Sequence, residues 1–335
     1  TSERFELGRN FCNKIWNAAR FAFMNLEGQA SDAQPADSAT APSAVDRAAL
    51  PIEDRWMLSR VSRAAVEVQD ALAKFSFSRA ATLARDFFWD SLCDWYLELV
   101  KSRIKENRQA AEARMVLAFA LDQSLRLLHP FVPFITERLW KQLNQAAPRR
   151  GIPGLIELDT GKPLIVSAYP PVEGWPALND PAVDAVFDDL QTATRAVREI
   201  RSTQNVPPKN PVNVIIKVPA DRVESLRREA HVIKRMAHVG ELTIDPQATR
   251  PKNAATLVFG DMQIFVLDVI DSAAERKRLE SELANIDKQV TAINGKLSNE
   301  GFVSRAPANI VQAERDKLAN LQARREVVLK TLAEL

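Results

Sequence analysis

Apolar residues recur every three or four positions through most of the chain and alternate in only a few short runs. The first pattern is that of a helix with one buried face, the second that of a half-buried strand. Residues 1 to about 27 read as one amphipathic helix, with Phe11, Ile15 and Ala18 on one face. The stretch "EGQASDAQPADSATAPSAVDRAALP" has no apolar period, and its Ala, Ser, Asp and Pro content predicts a mobile loop over 28–50. A second helix spans "IEDRWMLSRVSRAAVEVQDALAKF", with Trp56, Leu58, Val61, Ala65, Val68 and Leu72 as its buried stripe. A third follows in "SFSRAATLARDFFWDSLCDWYLELVKSRI". A fourth runs through "RMVLAFALDQSLRLLHPFVPFITERLWKQL", where Pro130 and Pro133 should end or kink it. Four such helices predict an antiparallel bundle over residues 1–147.

Between Pro148 and Pro181 prolines and glycines break the pattern, leaving room for one short strand in "LIVSAY". Asp180 followed by Pro181 starts another helix. "NPVNVIIKV", "ELTID", "ATLVFG" and "MQIFVLDV" read as strands, with Gly260-Asp261 as a hairpin turn, and "DRVESLRREAHVIKRMA" reads as one helix. Residues 148–270 are thus a connecting segment and a small α+β unit. In 271–335, Leu279, Leu283, Ile286, Val290, Ile293 and Leu297 step by four and three. So do Val311, Leu318, Leu321, Val328, Leu332 and Leu335, with Glu314 and Arg325 interrupting the series. Two heptad helices separated by "SNEGFVSRAPANI" predict an antiparallel coiled-coil hairpin. The predicted fold is mainly α: a helical bundle, a small α+β unit and a C-terminal hairpin.

The 335 residues suit two or three domains, and 46% hydrophobic with 26% charged residues is a soluble, globular balance. A net charge of +2 means that any nucleic-acid binding must come from local patches. Two cysteines, Cys12 and Cys93, with no Cys/His cluster, predict neither a disulfide framework nor a metal site. No apolar run is long enough to cross a bilayer and no signal peptide is visible, so a cytoplasmic protein without a membrane partner is expected. The chain opens on Thr1 rather than Met, as expected of a piece of a longer or processed chain. There is no Gly-rich phosphate loop, nucleophile elbow or His pair with metal spacing. No catalytic residue and no cofactor is predicted within these residues.

One helix carries more polar chemistry than packing requires. "GRNFCNKIWNAARF" crowds Arg9, Asn10, Asn13, Lys14, Asn17 and Arg20 into a few turns, although asparagine is a mediocre helix former. Together with "DFFWDSLCDWYLELVKSRI", "LLHPFVPFITERLW", "IRSTQNVPPKNPVNVII" and "LSNEGFVSRAPANIVQAERDKL", this stretch resembles the C-terminal portion of the valyl-tRNA synthetases, class I aminoacyl-tRNA synthetases. The resemblance covers nearly the whole chain. The first and third motifs recur more loosely in isoleucyl and leucyl relatives, and the hairpin is specific to the valyl enzymes. An equivalent isoleucyl fragment should end in a zinc-binding cysteine cluster, which is absent, as are the nucleotide-binding signatures of the HIGH and KMSKS type. The resemblance implies an anticodon-binding bundle and a tRNA-binding arm. It further implies tRNA, in the first place the valine tRNA, as the partner of a monomer. ATP and the attachment of valine would belong to a catalytic domain acting in cis, outside these residues along with the editing domain. A free-standing helical scaffold or protein-interaction module is the alternative of another class.

Asn10, Lys14, Asn17 and Phe21 lie three or four residues apart along one stripe. Amides donate and accept, a lysine offers charge to phosphate and an aromatic ring offers a stacking face, which is what reading unstacked bases requires. The resemblance places anticodon contacts at Lys14 and Phe21 in particular. The same asparagines and arginines could instead pin the helix through buried hydrogen bonds. In "FFWDSLCDWY", most of the aromatics belong to the core, while Asp90 and Asp94 either pair with Arg9 or Arg20 or accept from a base. On the tail, Lys288, Lys296, Arg305, Arg324 and Arg325 are the cations to set against the tRNA body, or else they are the solvated face of the coiled coil.

Overall fold

The computed structural model describes residues 2–26, 45–269, 272–298 and 308–334. They fall into two compact units, Thr1–Gln191 and Thr192–Leu335. The first contains α1 (Ser2–Leu26), α2 (Ile52–Ala73), α5 (Ala110–Leu128), α6 (Pro133–Ala146) and a long, unbroken helix. That helix begins as α3 (Phe77–Asp86), widens into a π-helix over Phe87–Tyr96 and ends as α4 (Leu97–Lys105). The widening is visible in the Leu97 N–H, which bonds to Leu92 O, five residues back. It lets Phe87, Phe88, Leu92, Cys93, Trp95, Tyr96 and Leu97 all turn inward. Pro130 stops α5 and Pro133 opens α6, the break expected of these prolines.

Two buried ion clusters cross the helical core. Arg103 donates to Glu53 Oε1 (3.1 Å) and Asp54 Oδ2 (2.8 Å), while Tyr96 Oη donates to Asp54 Oδ1 (2.7 Å). Asp122 accepts from Arg126 Nε (2.6 Å) and Arg150 Nε (2.7 Å), and both guanidinium groups lie over the ring of Trp140, 4.7 and 4.5 Å from its centroid. The second cluster ties down the connecting segment. Trp140 Nε1 donates to Lys162 O (2.9 Å), and Arg126 reaches the carbonyls of Asp159 and Ala168.

The first compact unit extends to Gln191 and so takes in the connecting segment. "LIVSAY" is not a strand but a 3-10 turn, Leu164–Val166. Glu137 takes the N–H groups of Leu164 (3.4 Å) and Ile165 (3.2 Å), the donors that a neighbouring strand would need. Of the loop expected over 28–50, residues 28–44 lie outside the described residues, but 45–50 are held in place. Val45 N–H bonds to Pro153 O (3.0 Å), Asp46 caps the turn Arg47–Ala49, Arg47 pairs with Asp180 (3.5 Å) and Leu50 is buried. A composition rule averages over such single anchors.

Helix α7 (Pro181–Thr203) starts where Asp180 and Pro181 indicated, with Val183 N–H bonding to Asp180 Oδ1 (3.2 Å). The second unit holds β1 (Val212–Lys217), α8 (Ala220–Arg228), α9 (Ala230–Ala237), β2 (Val239–Ile244), β3 (Ala255–Phe259) and β4 (Met262–Leu267). Its sheet order is β2-β1-β4-β3, parallel between β1 and β2 and antiparallel elsewhere. The single helix expected before β2 is two, broken at Glu229 (φ −102°, ψ 16°). Gly260 makes the β3–β4 turn at φ +58°. The tail is a helical hairpin of α10 (Ser272–Leu297) and α11 (Ala308–Glu334). Ile286 and Val328 form its buried centre, and Leu283, Val290, Leu321 and Leu332 pack around them.

Candidate nucleic-acid interface

Helix α1 lies beside the long helix, and the pairs between them advance together along both. Phe11 stacks on Trp89 (6.0 Å, 18°) and meets Phe88 edge-on (6.0 Å, 84°). One turn on, Lys14 Nζ donates to Asp94 Oδ1 (2.9 Å) and sits 5.0 Å from the centre of the Trp89 ring. Further along, Lys101 Nζ lies over Phe21, 5.3 Å from its centroid, and pairs with Glu98. Phe11, Ile15, Ala18, Ala19 and Ala22 face the interior or line the seam. That leaves the opposite side of α1 free to carry polar groups.

The stripe read from the sequence is present on this surface. Asn10 and Asn17 are exposed, and Lys14 and Phe21 are half-buried. Among the described residues, the side chains of Asn10, Asn13 and Asn17 make no hydrogen bond. They therefore do not pin the helix, and their donors and acceptors face outward. Asp94 is ion-paired, but with Lys14 rather than with Arg9 or Arg20. Asp90 is exposed one turn before it. Partial burial works against the charged form of Lys14, yet the bond and charge of Asp94 hold its ammonium above the ordinary lysine range. The face thus offers two ring systems, a fixed cation, exposed carboxylates and outward amides. Sequence reasoning gave Trp89 to the core and did not name Lys101. Their partners stand on another helix, which the period of one helix cannot reveal.

Three of the tail cations are ion-paired within the hairpin. Lys296 pairs with Glu314 (3.3 Å), Arg324 with Glu282 (2.7 Å) and Arg325 with Asp287 (2.7 Å), each across the two helices. Glu314 and Arg325 stand at heptad positions, so two of these links lie where the apolar seam is interrupted. Lys288 is exposed, and Arg305 lies outside the described residues. Among the described residues no three His, Cys, Asp or Glu side chains are placed to hold a metal, and no helix is long and apolar enough to cross a membrane.

Family models cover the long helix and the tail, and α1 lies outside the residues they match. Residues 54–216 match the family described as the anticodon-binding domain of tRNA ligase, and residues 271–335 match the valyl tRNA synthetase tRNA binding arm. Over its full length the chain is 40% identical to a valine–tRNA ligase of Rhodopirellula baltica, of which it covers 31%. It is 36% identical to that of Geobacter sulfurreducens and 34% identical to that of Enterococcus faecalis, with 99% of this chain and 36% of each relative covered. The chain thus spans about a third of the length of these relatives, and the match lies in their C-terminal part.

Proposed function

This chain belongs to the valyl-tRNA synthetase family, and on that premise we propose that its α1 face reads the anticodon of tRNA while the hairpin holds the tRNA body. The observation that carries the reading is the conjunction on one face of outward, unbonded Asn10 and Asn17 with Lys14, Phe21, Trp89 and Asp90. Unpaired bases are recognised by stacking and by hydrogen bonds to their edges, and this face supplies groups for both. The functional parts are residues 1–147, 148–270 and 271–335. The tail contributes Lys288, Lys296, Arg305, Arg324 and Arg325 to the phosphate backbone, with the paired members exchanging a carboxylate for a phosphate. The partner is the valine tRNA, bound by a monomer in the cytoplasm. ATP-dependent attachment of valine is the work of the parent enzyme's nucleotide-binding portion, for which this chain positions the acceptor.

A gel-shift titration against valine tRNA and against the same tRNA with a changed anticodon tests the reading. The chain should prefer the former, and Phe21→Ala should weaken binding by about 1–3 kcal/mol, the worth of one stacking face. Equal affinity for both RNAs, with Phe21→Ala binding like the unaltered chain, would remove the anticodon from this face.

A further inference from the structure

The turn between α2 and α3 holds a conformation that its residue does not suit. Phe75 N–H donates to Leu72 O (2.9 Å) and Ser76 N–H to Ala71 O (2.8 Å). This is the Schellman ending of a helix, in which the first residue past the cap takes a left-handed conformation and is ordinarily Gly or Asn. Here it is Phe75, at φ +55°. A bulky residue in that region is strained, and burial does not offset the strain, because Phe75 is 79% exposed and Phe77 58%. The two rings meet edge to face, 6.2 Å apart at 87°. They wall an open notch of about 670 Å³, lined also by Ser76, Ser78, Arg79, Thr82 and Leu83. No carboxylate lines it. Arg79 is exposed and makes no ion pair among the described residues.

We infer that this notch is a second stacking site for RNA, taking one unpaired base of the tRNA anticodon loop against Phe75 and Phe77, with a neighbouring phosphate on Arg79. The inference rests on the anticodon reading proposed above. Three observations favour RNA over a polypeptide. Paired rings at a right angle offer a flat floor and a wall to one planar base. The only charge in the lining is a cation, matched to phosphate. The notch also begins the same unbroken helix that carries Trp89, Asp94 and Lys101. From Phe77 to Trp89 that helix rises about 18 Å, a distance that a loop of a few unstacked nucleotides spans.

The test uses the 335-residue chain and a tRNA transcript with 5-iodouridine at single positions of the anticodon loop. Irradiation should crosslink one position to the peptide containing Phe75 and Phe77. The double variant Phe75→Gly/Phe77→Ala should lose that crosslink and bind the tRNA about tenfold more weakly. It should melt no lower than the unaltered chain, since Gly accepts the left-handed backbone; a purely structural pair of rings would lower stability instead. Phe75→Tyr/Phe77→Tyr should keep the affinity, and Arg79→Ala should flatten the salt dependence by about one counterion. If Phe21→Ala weakens binding while the double variant binds normally, the notch is not an RNA site and the anticodon reading stands. If the unaltered chain fails to bind the tRNA, both fall.

Discussion

Asp122→Asn removes one negative charge from the interior of the first unit and changes almost nothing in shape. Asp122 and Arg150 are fully buried and Arg126 nearly so. The carboxylate accepts from Arg126 Nε and Gln123 Nε2 on one oxygen and from Arg150 Nε on the other. An amide turns one of those oxygens into a donor facing a donor, so at least one bond is lost. The bonds that survive lose the attraction between opposite charges, and each lost bond to a charged group is worth roughly 1.5–3 kcal/mol. Two buried guanidinium groups are also left without a counter-charge. The total should be about 3–5 kcal/mol, the range for breaking a buried ion pair. At about 2–4 °C per kcal/mol for a unit of this size, the melting temperature should fall by roughly 6–20 °C. Hydrogen exchange should locate the loss. The amides of Ile152 and Ile156, bonded to each other's carbonyls, should lose protection, while those of β4 should keep theirs. A loss below about 1 kcal/mol, or equal loss of protection in β4, would refute the reasoning. Replacing the whole cluster with Asp122→Leu, Arg126→Met and Arg150→Met should recover only part of that loss, because no charge of the cluster then remains buried but the carbonyls of Ala147, Asp159 and Ala168 lose their donors.

Burial pushes the Cys93 thiol up to about 12, so in native protein at pH 8 a disulfide reagent should leave Cys93 unmodified, and both cysteines should react in denaturant. Ile286→Ala empties the centre of the hairpin seam and should cost about 2–4 kcal/mol, read as loss of helical circular dichroism on heating, without lowering protection in α5. Burial raises the Asp180 carboxyl, but Arg55, the Val183 N–H and Arg47 outweigh it and hold the group below the ordinary carboxylate range. Its stabilisation is therefore complete above the unfolded pKa of about 4 and is lost as pH falls through the lower folded value. Urea midpoints of Asp180→Asn and of the unaltered chain should converge as pH falls below about 4, and a constant gap would contradict this.

Periodicity made the helices, the four strands and the hairpin legible, and the Asn10, Lys14, Asn17 and Phe21 stripe with them, because each is a property of one element. What escaped were partnerships. Asp122 and Arg126 look like any exposed pair four apart on a helix, and Arg150 sits in "PRRG" with nothing to mark it as buried. Lys14 was legible as a cation on a face, but its partner Asp94 comes from a helix 80 residues away. The ion pairs of the tail cations escaped the sequence because the opposing acids lie on the other arm of the hairpin. Phe75 looked like an ordinary apolar residue, and only its backbone angle sets it apart.

The π-helix between Phe87 and Tyr96 has a bearing on insertions and deletions. In a wider helix each residue turns through a smaller angle, so ten of them lag behind the phase an α-helix would have reached. Phe87 and Phe88 are packed before the lag accumulates, and Tyr96 and Arg103 reach Asp54 after it. Deleting one residue from this stretch would let it relax to an α-helix and rotate everything beyond it. Tyr96 and Arg103 would leave Asp54 buried without partners, and Asp94 and Lys101 would swing away from Lys14 and Phe21. Many single substitutions here would preserve that phase. The number of residues between Phe88 and Tyr96 is therefore a stricter requirement than most of their identities.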